Sequence, residues 1–75
     1  MQLSEFLTEF QDLLQRDDPI DPTARLKDLE EWDSMSIMAC MVWLDKKFSL
    51  RYPFITIAKL ETVPELVALT KGNVA

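Results

Sequence analysis

Asp28-Leu29-Glu30-Glu31-Trp32-Asp33-Ser34-Met35-Ser36-Ile37-Met38-Ala39-Cys40-Met41-Val42-Trp43-Leu44-Asp45-Lys46-Lys47-Phe48 passes from an acidic segment straight into an apolar one. Four of its first six residues are acidic. From Met35 onward it is apolar on almost every side, relieved only by Ser36 and then by Asp45-Lys46-Lys47. Aspartate is a preferred helix N-cap, because its carboxylate accepts the unpaired backbone N–H groups of the first turn. The pattern predicts a helix that starts at Asp33-Ser34 and runs to Phe48, preceded by an acidic loop. Ile37–Leu44, eight residues, is the longest uninterrupted apolar run in the chain. It is far short of the ~20 residues that cross a bilayer, so no membrane span is expected.

Upstream, Leu3, Phe6, Leu7, Phe10, Leu13 and Leu14 recur at three- and four-residue steps, the stripe of an amphipathic helix. Asp17-Asp18-Pro19 ends it in this reading, since proline disfavours helical geometry in the residue before it. Residues 17–33 then read as a long loop pinned to the core by Ile20, Leu26, Leu29 and Trp32, with a short helical turn near 23–28. A long loop in so small a domain is more often functional than not. Downstream, Phe54-Ile55-Thr56-Ile57 has local strand character, but no partner strand is visible, so 49–60 is expected to form a loop and a short helix. Thr62-Val63-Pro64-Glu65 forms a capping box with proline in the first turn, and opens a last helix that closes at Lys71-Gly72.

The whole chain is 75 residues with 13 acidic and 8 basic side chains, one glycine, four prolines and 48% hydrophobic residues. Length and composition fit one compact helical domain over residues 1–75, and exclude a disordered tail, a collagen-like repeat or a disulfide scaffold. The net charge of −5 is uneven: residues 1–34 hold 10 acidic and 3 basic side chains, residues 35–75 hold 3 and 5. An acidic front half argues against nucleic acid and for a basic protein partner, with a solvated acidic face as the alternative. The single cysteine, Cys40, cannot form an internal disulfide. Met1-Gln2-Leu3-Ser4-Glu5 has no basic n-region or apolar h-region, and a cytoplasmic protein is the expectation.

Most catalytic chemistry is excluded. There is no histidine, hence no Ser-His or Cys-His couple and no imidazole metal ligand. A lone glycine, Gly72, rules out phosphate-binding glycine loops. Asp17-Asp18-Pro19-Ile20-Asp21 lacks the spacing of a calcium loop, and Glu30 and Glu31 sit on loop where nothing desolvates them. The chain is read as a non-enzyme. Ser34 remains open to two readings. It is an ordinary helix-start residue, or an exposed hydroxyl at the positive end of a helix, where a phosphate ester would be favoured. Nothing nearby activates it, so a second enzyme would have to modify it.

Asp28–Met35 resembles the motif of acyl carrier proteins, in which Asp-Ser-Leu follows an acidic loop and opens the second helix. Phe48, Tyr52-Pro53 and Thr62-Val63 also fall where that family places a helix-ending Phe, an apolar-Pro pair and the start of the last helix. The resemblance runs without gaps from about Leu26 to Leu69. It implies an all-α four-helix bundle with a long loop between helices 1 and 2 and a short third helix. It further implies 4′-phosphopantetheine on Ser34, donated by coenzyme A through a phosphopantetheinyl transferase, with Asp33 helping to present Ser34. The arm would hold acyl groups as thioesters and pass them between separate enzymes (ligases, ketosynthases, acyltransferases) of a fatty-acid, polyketide or other specialised acyl pathway. Asp28, Glu30 and Glu31 would offer negative charge to basic patches on those partners. A monomer is expected. The alternatives are an aminoacyl or peptidyl carrier, and a helical adaptor that lacks the arm.

Several residues depart from the family pattern. Trp32 stands where fatty-acid carriers have a small residue, and Met35 replaces leucine. The usual acidic positions of the second helix read Ser36, Ala39, Lys46 and Lys47. Ile37, Val42 and Trp43 exceed what one buried stripe needs, so Ile37 and Trp43 are assigned to partner recognition through an apolar patch. Met35, Met38 and Met41 read as core, or alternatively as the lining of an expandable acyl pocket. Trp43 is expected to be partly buried, Cys40 to be a small buried hydrophobe, and Phe54 and Ile55 to serve either the partner surface or the third helix.

Overall fold

The computed structural model describes residues 1–75 as four helices joined by one long and two short connections, with no strand. Helix α1 (Leu3–Leu14) buries Phe6, Phe10 and Leu14 from the predicted stripe. It stops before the Asp17-Asp18-Pro19 signal. Gln15 turns left-handed at φ 55°, the N–H groups of Gln15 and Arg16 return to the carbonyls of Asp12 and Gln11 at 3.0 and 3.1 Å, and the Gln11 amide caps the carbonyls of Arg16 and Asp17. This local closure ends the helix, with the proline already outside it.

The connection that follows has one short 3₁₀ turn, Leu26–Asp28. Ile20, Leu26 and Leu29 are buried in the core, and Trp32 packs half-buried against it, as the loop reading requires. A further anchor carries no sequence pattern. Leu26 N–H donates to the Glu61 carbonyl and Val63 N–H to the Ala24 carbonyl, both at 2.9 Å, which pairs Arg25 with Thr62 as an isolated antiparallel bridge. The loop is thereby fastened to the start of the last helix.

Helix α2 (Ser34–Phe48) has the predicted boundaries. Its buried line is Ile37, Cys40 and Leu44, spaced three and four apart as one helix face. Lys46 and Lys47 sit in its last turn, where cations complement the macrodipole. The strand-like Phe54–Ile57 becomes helix α3 (Phe54–Ala58), which buries Ile57. Helix α4 (Val63–Ala68) starts at the predicted capping box: Glu65 N–H reaches Thr62 Oγ1 at 3.3 Å and Thr62 N–H reaches Glu65 Oε1 at 3.0 Å. It ends at Ala68, and left-handed Lys71 and Gly72 turn the chain back afterwards.

Helix α2 packs between α1 and α3. Trp43 lies against two rings of α1: Phe6 at 4.7 Å between centroids, and Phe10 stacked at 6.0 Å. One cluster of thirteen buried hydrophobics takes residues from all four helices, the long loop and Val74. The Tyr52 hydroxyl donates to the Leu69 carbonyl, tying the α2–α3 connection to the end of α4.

The core placement of the methionines is corrected. Met35 is 78% exposed and Met38 58% exposed, with Val42 beside them at 53%; only Met41 is half-buried against the core. Once Ile37, Cys40 and Leu44 face α1 and α3, residues 35, 38 and 42 lie on the far side of the helix. They therefore line no interior acyl pocket either.

Candidate functional site

The site is built around the start of α2. Asp33 is extended (φ −138°) and its Oδ1 accepts the Ser36 N–H at 2.9 Å. The Ser36 hydroxyl answers twice, accepting the Asp33 N–H at 2.8 Å and donating to the Asp33 carbonyl at 2.9 Å. That carbonyl also takes the first intrahelical bond, from Ile37 N–H at 2.9 Å. The Asp33–Ser36 cap of α2 is thus made without the Ser34 side chain. Ser34 is exposed, and its hydroxyl makes no hydrogen bond within the chain. The backbone N–H groups of Ser34 and Met35 likewise have no acceptor in the chain. A free hydroxyl stands beside unpaired N–H donors at the positive end of a 15-residue helix, an environment that favours a phosphate by about 0.3–1 kcal/mol.

The acidic approach to Ser34 splits in two. Asp28 and Glu30 are exposed and form no ion pair. Glu31 instead bonds Arg16 at 2.9 Å, side chains 31% and 22% exposed. The backbone N–H of Glu31 itself and then the Arg16 guanidinium hold its carboxyl below the ordinary range. Its charge therefore fastens the loop to the end of α1, where the sequence reading had it free for a partner. Beside it an open cleft of 360 Å³ runs between the end of α1 and the start of α2, with Leu13, Gln15, Asp33 and Met35 among its walls.

Ile37 and Trp43 do not form the apolar patch assigned to them. Ile37 is only 8% exposed and belongs to the core, because it begins the Ile37-Cys40-Leu44 line. Trp43 is half-buried, and its indole N–H donates to Glu9 Oε1 at 3.1 Å, while Lys47 reaches Glu9 Oε2 at 3.1 Å. The indole bond and then the lysine hold the Glu9 carboxyl below its ordinary value. Trp43 thus locks α2 to α1. The residues that do present apolar surface are Met35, Met38 and Val42 on α2, with Phe54 and Ile55 on α3. Their i, i+3, i+7 spacing on α2 was visible in the sequence. What was missing was a reason to choose which side of an all-apolar helix faces inward.

Cys40 is fully buried, and burial pushes its thiol up to about 12. It is a packing residue. No three His, Cys, Asp or Glu side chains stand close enough to hold a metal ion.

A family model described as phosphopantetheine attachment site matches residues 4–70. The chain belongs to this family. The match runs from the second residue of α1 past the end of α4, so it takes in all of the four helices but Leu3. The phosphopantetheine attachment family bears 4′-phosphopantetheine covalently on a serine, and its carrier domains work with a transferase and partner enzymes. The all-α architecture here agrees with the acyl-carrier type. No curated protein and no solved structure gives a significant match. No helix is long and apolar enough to cross a membrane.

Proposed function

We propose that Ser34 is the attachment serine and that the chain is an acyl carrier protein of a specialised acyl pathway. The observation that carries this is the free, exposed Ser34 hydroxyl at an already capped helix start. The other three serines are less suited. Ser36 is committed to Asp33. Ser49 lies at the carbonyl end of α2, which repels phosphate. Ser4 shares its helix end with the Glu5 carboxylate and the Ala75 carbonyl, which accept the N–H groups of Gln2 and Leu3.

Attack of Ser34 Oγ on the phosphorus of coenzyme A that bears the pantetheine forms a phosphodiester and breaks the pyrophosphate bond. Adenosine 3′,5′-bisphosphate leaves, and a base of the transferase takes the hydroxyl proton. The unpaired N–H groups of Ser34 and Met35 would stabilise the phosphate of an attached arm, and the second oxygen of Asp33 would stay available to the transferase. When bound, the arm supplies a thiol for thioester chemistry; the protein positions and presents it. Asp28 and Glu30 would speed encounters with basic surfaces near Ser34.

Intact mass measured after incubation with coenzyme A and a broad phosphopantetheinyl transferase tests the reading. One arm should add to the wild-type chain and to Ser36→Ala, and none to Ser34→Ala. No gain under conditions that load a control carrier would refute it. Loading with fatty-acyl and aminoacyl donors then separates an acyl from an aminoacyl carrier, and an unmodified Ser34 in protein purified from its native cell would favour the armless adaptor.

A further inference from the structure

We propose that the outward face of α2 docks a protein partner whose surface is an apolar recess with carboxylates at its far edge, opposite Lys46. The inference rests on Ser34 as the attachment serine, because the face matters through its continuity with that site.

Met35, Met38, Val42 and Lys46 follow at steps of three, four and four, so they form one stripe along α2. The first three are more than half exposed, and Met38 lies one turn below Ser34. Burying such side chains against a partner is favourable, and methionine adapts to irregular surfaces. Nothing in the fold uses this stripe.

The charges around it settle what the partner must present. Lys47 is neutralised within the chain by Glu9, Arg51 by Asp45 and Arg16 by Glu31. Lys46 is exposed and forms no ion pair, so the free charge at the C-terminal end of the stripe is positive. At the other end, in the loop that leads into Ser34, the charges without an ion pair are Asp28, Glu30 and Asp33 against Lys27, a negative balance. Twelve residues separate Ser34 from Lys46, roughly 18 Å at 1.5 Å per residue. A complementary surface is therefore basic near the arm and acidic about 18 Å further along, with apolar ground between. An enzyme that lines its carrier-docking groove with Lys and Arg throughout would meet Lys46 with like charge and the stripe with unsatisfied polar groups. Both penalise binding, and such repulsion is how specificity is enforced.

The test uses the full chain loaded with a pantetheine arm that ends in a thiol-reactive electrophile. Two purified condensing enzymes of known structure are the probes: one with a docking groove lined throughout by Lys and Arg, one with an apolar groove edged by Asp or Glu. Completion of arm loading is checked first by mass; failure there refutes Ser34 as the attachment serine and this proposal with it, whereas wrong trapping after complete loading overturns the docking claim alone. With the arm in place, the acidic-edged enzyme should be trapped faster. Lys46→Glu and Val42→Glu, both at exposed positions and checked for retained helicity, should each slow that trapping by roughly tenfold. Lys46→Glu should also raise trapping by the basic-grooved enzyme. Preference of the wild-type chain for the basic groove, trapping by neither enzyme, or insensitivity to Lys46→Glu overturns the proposal. So does reversible self-association in sedimentation velocity that Val42→Glu abolishes, which would give the face to a second copy of the chain.

Discussion

Ser34 and Ser36 are two residues apart on the same helix, and their opposite duties are separable by stability measurements. Ser36→Ala removes the acceptor of the Asp33 N–H and the donor to the Asp33 carbonyl, leaving a part-buried N–H without a partner. A lost hydrogen bond with an orphaned donor costs about 1–2 kcal/mol. The Asp33 carboxylate still accepts the Ser36 N–H, so part of the cap survives and the loss stays within that range. Ser34→Ala removes nothing the fold uses: the side chain is exposed and unbonded, and alanine is the better helix former. Its effect should lie within about ±0.5 kcal/mol. For a domain of this size 1 kcal/mol shifts Tm by about 4–8 °C. Ser36→Ala should therefore melt about 5–15 °C below the wild type, and Ser34→Ala within about 4 °C of it. Far-UV circular dichroism melts and urea titrations on the unmodified chain measure both, and arm loading should run the other way, lost in Ser34→Ala and kept in Ser36→Ala. If Ser34→Ala is as destabilising as Ser36→Ala, Ser34 is part of the cap, and the claim that its hydroxyl is spare for chemistry fails.

Three further outcomes follow from the packing and the charges. Leu44→Ala hollows out a fully buried position and should lose about 2–5 kcal/mol, read as a large fall in the urea midpoint; a loss under about 1 kcal/mol would mean that α2 does not seat as described. Cys40, its thiol pushed up to about 12 by burial, should resist iodoacetamide at pH 8 in the folded chain and react on unfolding, so the arm-loaded chain should show one fast thiol and one slow. Glu9 is held below its ordinary 4.5, which means folding favours its charged form; that contribution is present above pH 4.5 and fades as pH falls through the lowered folded value. The stability advantage of wild type over Glu9→Gln, less than about 1 kcal/mol for so exposed a pair, should be visible in melts at pH 7 and shrink towards pH 3.

Elements with a single periodicity or a local terminator are legible in the amino-acid sequence alone. The α1 stripe, the Asp33 start of α2, the Thr62–Glu65 box and the four apolar anchors of the loop each rest on neighbours within a few residues. Sequence and fold part wherever the answer depends on residues far away along the chain. The left-handed Gln15 closure displaces the proline as the end of α1, and the Arg25–Thr62 bridge joins segments that are individually unremarkable. Helix α2 is the instructive case. An apolar run on all sides has no preferred inward direction of its own, so by pattern Ile37 is as exposable as Val42, and Met35 as buriable as Cys40. The choice belongs to α1, whose Phe6 and Phe10 take Trp43 and fix the rotation of α2. The four-helix plan and the Ser34 position were in the sequence; which apolar residues were left over was not.

What is left over is what bears on function. The fold consumes Asp33 and Ser36 for the cap, Arg16 and Glu31 for the loop, and Glu9, Trp43 and Lys47 for the α1–α2 contact. Each of these groups has a partner within the chain, although the second oxygen of Asp33 remains free beside Ser34. Around α2, what then remains includes the Ser34 hydroxyl, the carboxylates of Asp28 and Glu30, the Met35-Met38-Val42 stripe and the ammonium of Lys46, with Phe54 and Ile55 exposed on α3. A sequence optimised for stability alone would not expose three large apolar side chains on one helix face or leave a hydroxyl idle beside unpaired donors, and sites that break such rules are where function is expected. Ser34, Met35, Met38, Val42 and Lys46 lie along one side of α2 by their spacing, and the acidic loop leads straight into that side at Ser34, so a partner that comes for the arm must meet that side of the helix.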